Sequence, residues 1–155
     1  MGDALLFFKN FLTNPAAIGS VVPSSPFLVN MLLDGLDFES ARVIVEFGPG
    51  TGVFTEELVR RLHPDAKLIC IELMEEFCVE LKARYTDPRV IVVHGSAADI
   101  MNHLNAHGFD HTDYVVSGLP FTSLPEGLRH EILSNTAKAL KPGGRFLLYQ
   151  YSTFL

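Results

Sequence analysis

The sequence predicts an α/β protein in which helices cover both faces of a mostly parallel sheet. Two observations favour this class. From Arg42 onward, stretches with strand character alternate with stretches of helical spacing, which is the pattern of βαβ units. A turn with glycines at alternate positions joins the first of these strands to its helix. A chain of 155 residues, 48% of them hydrophobic, is long and apolar enough to form one domain around one core.

Five strands are predicted from short apolar runs, and the helices from apolar residues spaced three or four apart. The strands are expected at residues 43–47, 67–72, 89–94, 113–117 and 144–151. The helices between them are expected at residues 55–62, 75–85, 98–107 and 125–140, and two earlier helices at residues 4–12 and 27–36. We therefore expect an N-terminal helical attachment, residues 1–36, and a compact core, residues 37–155.

Charge and cysteine content narrow the range of partners. Twelve Lys and Arg against eighteen Asp and Glu leave a formal net charge of −6, which repels a phosphate backbone, so nucleic acid is a disfavoured partner.

The two cysteines, Cys70 and Cys78, match neither a CxxC nor a zinc pattern, and no metal is expected. The start of the chain lacks the basic region of a signal peptide, so a cytoplasmic location is expected.

The turn after the first strand is a candidate ligand site. Its sequence is Glu46, Phe47, Gly48, Pro49, Gly50, Thr51, Gly52. Glycine has no Cβ, so a ligand can approach the backbone, and the helix that follows offers unpaired N–H groups. The GxGxG spacing differs from the GxGxxG of dinucleotide enzymes. We expect the turn to bind a cofactor through Glu46, Gly48, Pro49, Gly50, Thr51 and Gly52, and the alternative is a purely structural turn.

Two further motifs follow the second and third strands. Glu72, followed by Leu73, ends the second strand, where an acid can accept both hydroxyls of a ribose. The third strand ends in Gly95, Ser96, Ala97, Ala98 and Asp99, where an acid is placed to accept an adenine amino group. The alternatives are a solvated acid at position 72 and helix capping by Asp99. Because the carboxyl ends of parallel strands meet at one edge, the three motifs are expected to converge on one crevice.

With these motifs the chain resembles the class I methyltransferases, which have a Rossmann-like fold and use S-adenosylmethionine. The resemblance rests on residues 43–52 as the first motif, Glu72 as the ribose acid and residues 94–99 as the adenine loop. It implies that S-adenosylmethionine is the cofactor and that Ser24, Ser25 and Ser117 contribute to its site. The class normally has seven strands and the sequence predicts five, so we expect the last strands to be lacking.

Within that class the chain is similar to the bacterial phospholipid N-methyltransferases, which are related to the rRNA adenine dimethyltransferases. The discriminating features are Phe11-Leu12 with Asn14-Pro15, residues 19–25, and the segment after the fourth strand. The resemblance implies that this segment, Ser117, Gly118, Leu119, Pro120 and Phe121, is catalytic. The implied acceptor is the amine of phosphatidylethanolamine and its methylated products.

Gly118 departs from the adenine dimethyltransferases, which carry Asn at this position. A base amine would lose a hydrogen-bond partner worth about 1 kcal/mol. Phe121 keeps an aromatic face over which a cationic ammonium can rest. The alternative is that the segment is only a strand-exit turn. A sulfonium cofactor requires no nucleophilic side chain, and the candidates for a general base are Glu46, His94, Tyr149 and Tyr151, among which the sequence does not choose.

The apolar helix predicted at residues 4–12 is a candidate for lying in a lipid interface. It carries one basic residue, Lys9, and the alternative is that it packs over the sheet or against another subunit. Three functions therefore stay open: methylation of a phospholipid amine, methylation of RNA adenine, and a non-catalytic cofactor-binding module.

Overall fold

A computed structural model describes residues 26–149 of the chain. The strands are β1 (Val43–Phe47), β2 (Lys67–Glu72), β3 (Val90–His94), β4 (Thr112–Ser117) and β5 (Leu140–Leu148). The helices are α1 (Pro26–Leu33), α2 (Val53–Arg61), α3 (Glu75–Arg84), α4 (Ile100–Ala106) and α5 (Glu126–Ala139), with single 3₁₀ turns at Ala97–Asp99 and Phe121–Ser123. The helix predicted at residues 4–12, the block at residues 19–25 with Ser24 and Ser25, and Tyr151 lie outside the described residues.

The five strands form one sheet in the order β3-β2-β1-β4-β5, and every neighbouring pair is parallel. The predicted α/β class with a parallel sheet is therefore confirmed. The chain moves outward from β1 to β3 on one side and then crosses to β4 on the other side of β1. In open sheets of this kind ligands bind beyond the carboxyl ends of the strands, where the strand order reverses. That point lies between β1 and β4.

Apolar residues on both faces of the sheet are buried by helices. On one face, Phe47 and Ile71 of the sheet pack with residues of α4 and α5. On the other face, Ile44 and Leu68 pack with residues of α1 and α2, including Leu33 of α1. Residues 26–33, which we had assigned to the N-terminal attachment, thus pack against the core, and the attachment itself stays a prediction for residues 1–25. None of the helices within residues 26–149 is long and apolar enough to cross a membrane.

The last strand begins four residues earlier than predicted. Leu140 pairs with Thr112, and the next pair is Arg145 with Tyr114, so the residues between them bulge out of the ladder. Pro142 has no N–H to donate, and Gly143 has a left-handed φ of 82°. The sequence signals of a turn therefore mark a bulge inside β5 rather than the start of the strand.

Asp113 fixes the amino-terminal edge of the sheet. Its Oδ2 accepts hydrogen bonds from the backbone N–H groups of Arg42 and Val43, each 2.9 Å away, and Lys141 of the bulge forms an ion pair with Oδ1. Burial opposes ionisation of this carboxyl, but these partners hold its pKa below the usual range. The starts of β1, β4 and β5 are thereby tied together on the side opposite the strand ends that form the site.

Candidate functional site

A cavity of about 200 Å³ opens at the carboxyl edge of the sheet, and the ends of all five strands contribute to its wall. The contributions of the strand ends are Gly48, Pro49, Gly50, Thr51, Ile71, Glu72, Leu73, Met74, Gly95, Ser96, Ala97, Gly118, Leu119, Pro120 and Tyr149. Helix residues complete the wall: Val53, Phe54, Phe77, Leu128 and Ile132. The structure therefore brings the three predicted motifs and the segment after β4 to one cavity.

The glycine turn holds left-handed backbone at three alternate positions. Gly48, Gly50 and Gly52 have φ of 61°, 55° and 89°, a conformation that costs other residues free energy. The Gly48 N–H donates to the carbonyl of Ile71 at 3.0 Å, which ties the turn to β2. Arg84 of α3 donates to the carbonyl of Thr51 at 2.7 Å and braces the turn from the outside. The turn is thus held open in a shape that presents backbone to a ligand.

Glu72 connects the turn to the end of β2. Its Oε1 accepts the Gly50 N–H at 3.0 Å, and its Oε2 accepts the Met74 N–H at 2.9 Å. The side chain is 5% exposed, and burial raises its pKa although these N–H groups favour the charged form. A carboxylate oxygen can accept two hydrogen bonds, so each oxygen keeps a position for a ligand hydroxyl. This acid fits the two hydroxyls of a ribose.

The end of β3 meets the cavity through fewer residues than predicted. Gly95, Ser96 and Ala97 line it, whereas Ala98 is buried beneath them and the Asp99 side chain is exposed to solvent. The Ser96 hydroxyl accepts the Ala98 N–H at 3.1 Å, so Ser96 rather than Asp99 caps the short turn here. The structure does not place Asp99 on the cavity wall, and its contact with adenine stays a prediction.

The apolar wall beside Glu72 was not predicted from the sequence. Ile71, Met74 and Phe77 line the cavity together with Leu73. They surround the strand-end acid with flat or flexible apolar groups, which suit the faces of a nucleobase. The apolar residues that flank Glu72 in the sequence could have indicated such a wall. The turn that directs Met74 and Phe77 toward the cavity is visible only in the structure.

Glu46 lies in the core and is not among the residues that line the cavity. Its Oε1 accepts the Thr55 hydroxyl at 2.5 Å and lies 3.7 Å from the Cys70 thiol. Its Oε2 has no hydrogen-bond partner within the described part of the chain. Burial raises the pKa of Glu46 to about 7. The Glu46 side chain therefore lies beneath the glycine turn, with its partners on α2 and β2. Its predicted contact with the cofactor is untested and stays a prediction.

After β4, Gly118, Leu119 and Pro120 line the cavity, whereas Ser117 and Phe121 do not. Ser117 is fully buried, and its hydroxyl accepts the Leu119 N–H at 3.2 Å. Phe121 is 4% exposed and packs edge-on against Phe146, with ring centroids 5.9 Å apart. The short 3₁₀ turn directs this ring into the core, so the predicted aromatic face is not on the cavity wall.

Three of the four candidates for a general base lie within residues 26–149, and of these three Tyr149 is on the cavity wall. The Nε2 atom of His94 lies 3.1 Å from the carbonyl of Leu73, and the residue is exposed. Tyr149 follows β5, and its ring stacks on Phe54 with centroids 3.7 Å apart. Within the described part of the chain, the aromatic rings of the wall are therefore Phe54, Phe77 and Tyr149 rather than Phe121.

Replacing Glu72 with glutamine is expected to weaken cofactor binding by about 10- to 100-fold, because a charged acceptor for two hydroxyls is lost. The amide group also brings a second donor toward the Gly50 or Met74 N–H. Calorimetric titration with S-adenosylmethionine measures the change. A matched control is Glu80→Gln on the exposed surface of α3, which we expect to bind as the wild type does. Equal affinity for Glu72→Gln and wild type would contradict the role of this acid.

Comparison with known proteins places the chain among methyl-transferring enzymes. Residues 44–144 match the family described as methyltransferase domain. The chain is 36% identical over 147 residues to the ornithine lipid N-methyltransferase of Singulisphaera acidiphila, an alignment that covers 94% of this chain and 77% of that protein. It is 32% identical over 73 residues to the ribosomal RNA small subunit methyltransferase A of Mycoplasma mycoides, covering 47% of this chain and 26% of that protein.

Solved structures share the fold. The O-methyltransferase TomG from Streptomyces achromogenes, solved in complex with SAM, has a TM-score of 0.65 at 23% identity and covers 90% of this chain. An S-adenosylmethionine-dependent methyltransferase from Thiobacillus denitrificans, solved with S-adenosyl-L-homocysteine, has a TM-score of 0.59 at 20% identity and covers 82% of this chain. The chain spans 62% and 49% of the lengths of these two structures.

Proposed function

Because this chain belongs to the family of S-adenosylmethionine-dependent methyltransferases, we propose that it methylates the amine of a membrane lipid of the ornithine-lipid or phosphatidylethanolamine type. The observation that carries the proposal is the relationship to an ornithine lipid N-methyltransferase over 94% of this chain. The family assignment confirms the predicted enzyme class and its cofactor, S-adenosylmethionine.

The described residues fit this cofactor. The turn with Gly48, Gly50 and Gly52 presents bare backbone, and the buried Glu72 offers two oxygens for the ribose hydroxyls. The apolar wall around Met74 and Phe77 suits the adenine ring. The cofactor would therefore extend along the edge of the sheet from the β3 end toward the β4 end.

Methyl transfer to an amine requires the protein to bring an unprotonated amine to the cofactor and to exclude water from the site. When bound, S-adenosylmethionine would supply an electrophilic methyl group: the C–N bond would form as the S–C bond breaks with its electron pair going to sulfur, and the displaced amine proton would leave to bulk solvent with the product. The cavity wall carries apolar side chains, among them Leu119 and Pro120 after β4 and Leu128 and Ile132 of α5. Apolar side chains here exclude water and accommodate the acyl part of a lipid near its headgroup.

We place the enzyme on the inner face of the cytoplasmic membrane, in contact with the lipid surface. The apolar residues of α1 support this proposal, because Phe27 and Met31, one helical turn apart, are 76% and 55% exposed. Val53, at the cavity wall, is 44% exposed. The predicted helix at residues 4–12 precedes α1 and extends the apolar stretch of sequence. A surface that binds through apolar groups with few cations predicts only weak salt dependence of binding.

The test is transfer of a radiolabelled methyl group from S-adenosylmethionine to phosphatidylcholine vesicles that contain ornithine lipid, phosphatidylethanolamine, or neither. Unmodified ribosomal RNA is offered in parallel, and sedimentation of the vesicles measures binding at low and high salt. Label in an amine lipid, with protein on the vesicles at both salt concentrations, is the expected result. Label in RNA alone, or cofactor binding without transfer to either acceptor, would contradict the proposal. A steep loss of vesicle binding with salt would contradict the apolar contact.

A further inference from the structure

The wall at the β4 end is built around a close contact between Gly118 and Tyr149. A Cβ atom added at position 118 would meet the hydroxyl oxygen of Tyr149 and lie 2.8 Å from its Cζ. No larger residue therefore fits at position 118 while Tyr149 keeps its place. Glycine is the residue that lets the tyrosine hydroxyl rest directly over the end of β4.

Two further contacts hold Tyr149 in this position. Its backbone N–H donates to the carbonyl of Ser117 at 3.1 Å, which continues the pairing of β4 with β5 beyond Leu148. Its ring stacks nearly parallel on Phe54, with an angle of 11° between the planes. Phe54 is itself 2% exposed and belongs to the first turn of α2, directly after the glycine turn. The hydroxyl thus has a defined position between the cofactor turn and the segment after β4.

The polar side chains of the cavity wall are unevenly distributed between its two ends. Glu72 and Ser96 belong to the ends of β2 and β3, and Thr51 to the glycine turn. At the ends of β4 and β5, the lining side chains within the described residues are Leu119, Pro120 and Tyr149, with Gly118 bare. Among the lining side chains of residues 26–149 at this end, the Tyr149 hydroxyl is the one that can hydrogen-bond an entering amine.

We propose that the Tyr149 hydroxyl oxygen accepts an N–H from the acceptor amine and holds the nitrogen over Gly118, at the β4 end of the cavity. This inference rests on the proposed function and names the acceptor-binding group of that site. A primary or secondary amine has an N–H to donate, whereas an unprotonated tertiary amine has none. The hydrogen bond therefore assists transfer to unmethylated and monomethylated acceptors more than transfer to a dimethylated one.

The variant Tyr149→Phe tests the inference, because it removes the hydroxyl and keeps the ring stacked on Phe54. We expect kcat/KM for a primary amine to fall about tenfold, with the affinity for S-adenosylmethionine and the melting temperature unchanged. For the dimethylated form of the same acceptor we expect less than a twofold change. A matched control is Tyr114→Phe, whose hydroxyl accepts the Asp37 N–H at the other end of β4 and should leave transfer unchanged.

The assay uses whichever acceptor the wild type methylates, lipid or RNA, so failure of the proposed function and failure of this inference are distinguished. Unchanged kcat/KM for the unmethylated acceptor in Tyr149→Phe would overturn the inference. An equal loss for acceptors at every methylation state would also overturn it, since that is the result of a general structural defect. Gly118→Ala, which displaces the hydroxyl, is expected to lose activity to the same extent, and Tyr149→Phe should add nothing to that loss.

Discussion

Replacing Gly48 with alanine is expected to destabilise the protein by about 2–4 kcal/mol and to weaken binding of S-adenosylmethionine at least tenfold. Gly48 has a φ of 61°, where an alanine costs about 1–2 kcal/mol. Its added Cβ would lie 2.8 Å from Cδ2 of Leu119, an overlap that costs roughly 1–3 kcal/mol. Leu119 lines the cavity, so relief of the overlap moves a wall residue and carries the strain into the site.

Thermal unfolding and calorimetric titration check this prediction, with a fall in melting temperature of roughly 10 °C expected. Gly127→Ala is the matched control. Gly127 lies in α5, no atom stands within 4 Å of its added Cβ, and alanine there favours the helix by up to about 1 kcal/mol. If Gly48→Ala melts and binds the cofactor as Gly127→Ala does, the close contact with Leu119 is not a constraint on the turn.

The parts of the site predicted from the sequence are those that local chemistry determines. Alternating glycines between a strand and a helix have few other uses, and an acid at the end of the next parallel strand must lie beside them. Gly48, Gly50 and Glu72 therefore lie on the cavity wall as predicted from their spacing. The cofactor class is implied by the resemblance to the class I methyltransferases that these residues carry.

The parts that the sequence did not predict depend on packing between distant segments. Tyr149 meets Phe54 across 94 intervening positions, and the contact exists because β5 pairs with β4 in one particular register. Phe121 has an aromatic ring in the right segment, but a short turn directs it onto Phe146. Asp99 has a solvent-exposed side chain and Ser96 caps the turn, so the predicted contact of Asp99 with adenine stays a prediction. In each case the residue type was visible and the direction of the side chain was not.

Gly118 is a second case in which the sequence alone does not predict the site. From the sequence alone, Gly118 indicates the loss of a side-chain hydrogen-bond partner. In the structure the hydroxyl of Tyr149 lies where a side chain at position 118 would begin, and under our proposal it supplies the polar group from the segment after β5. Such an exchange between two strands has no local signature, because neither residue is unusual where it stands in the sequence.

Replacing Glu46 with glutamine is expected to change the pH dependence of stability more than any surface substitution. Burial raises the pKa of Glu46 from 4.5 to about 7, so between these values the folded protein keeps a proton that the unfolded chain releases. The free energy of unfolding therefore falls as pH rises from about 4.5 to 7. At about 1.4 kcal/mol per pH unit, the wild type loses about 2–3 kcal/mol that a glutamine, which does not titrate, retains.

Urea unfolding of wild type and Glu46→Gln without cofactor, at pH 5 and pH 8, measures this difference. Histidines titrate in the same range but are common to both proteins, so their contribution cancels in the comparison. Glu57→Gln is the control, because Arg60 and Arg61 lower the pKa of Glu57 to about 2, and its stabilisation is lost only below the tested range. A difference between wild type and Glu46→Gln that is the same at both pH values would mean that Glu46 is already ionised at pH 5. A carboxylate without a partner for Oε2 would then be buried beneath the cofactor turn, and the turn would have to supply the compensating charge.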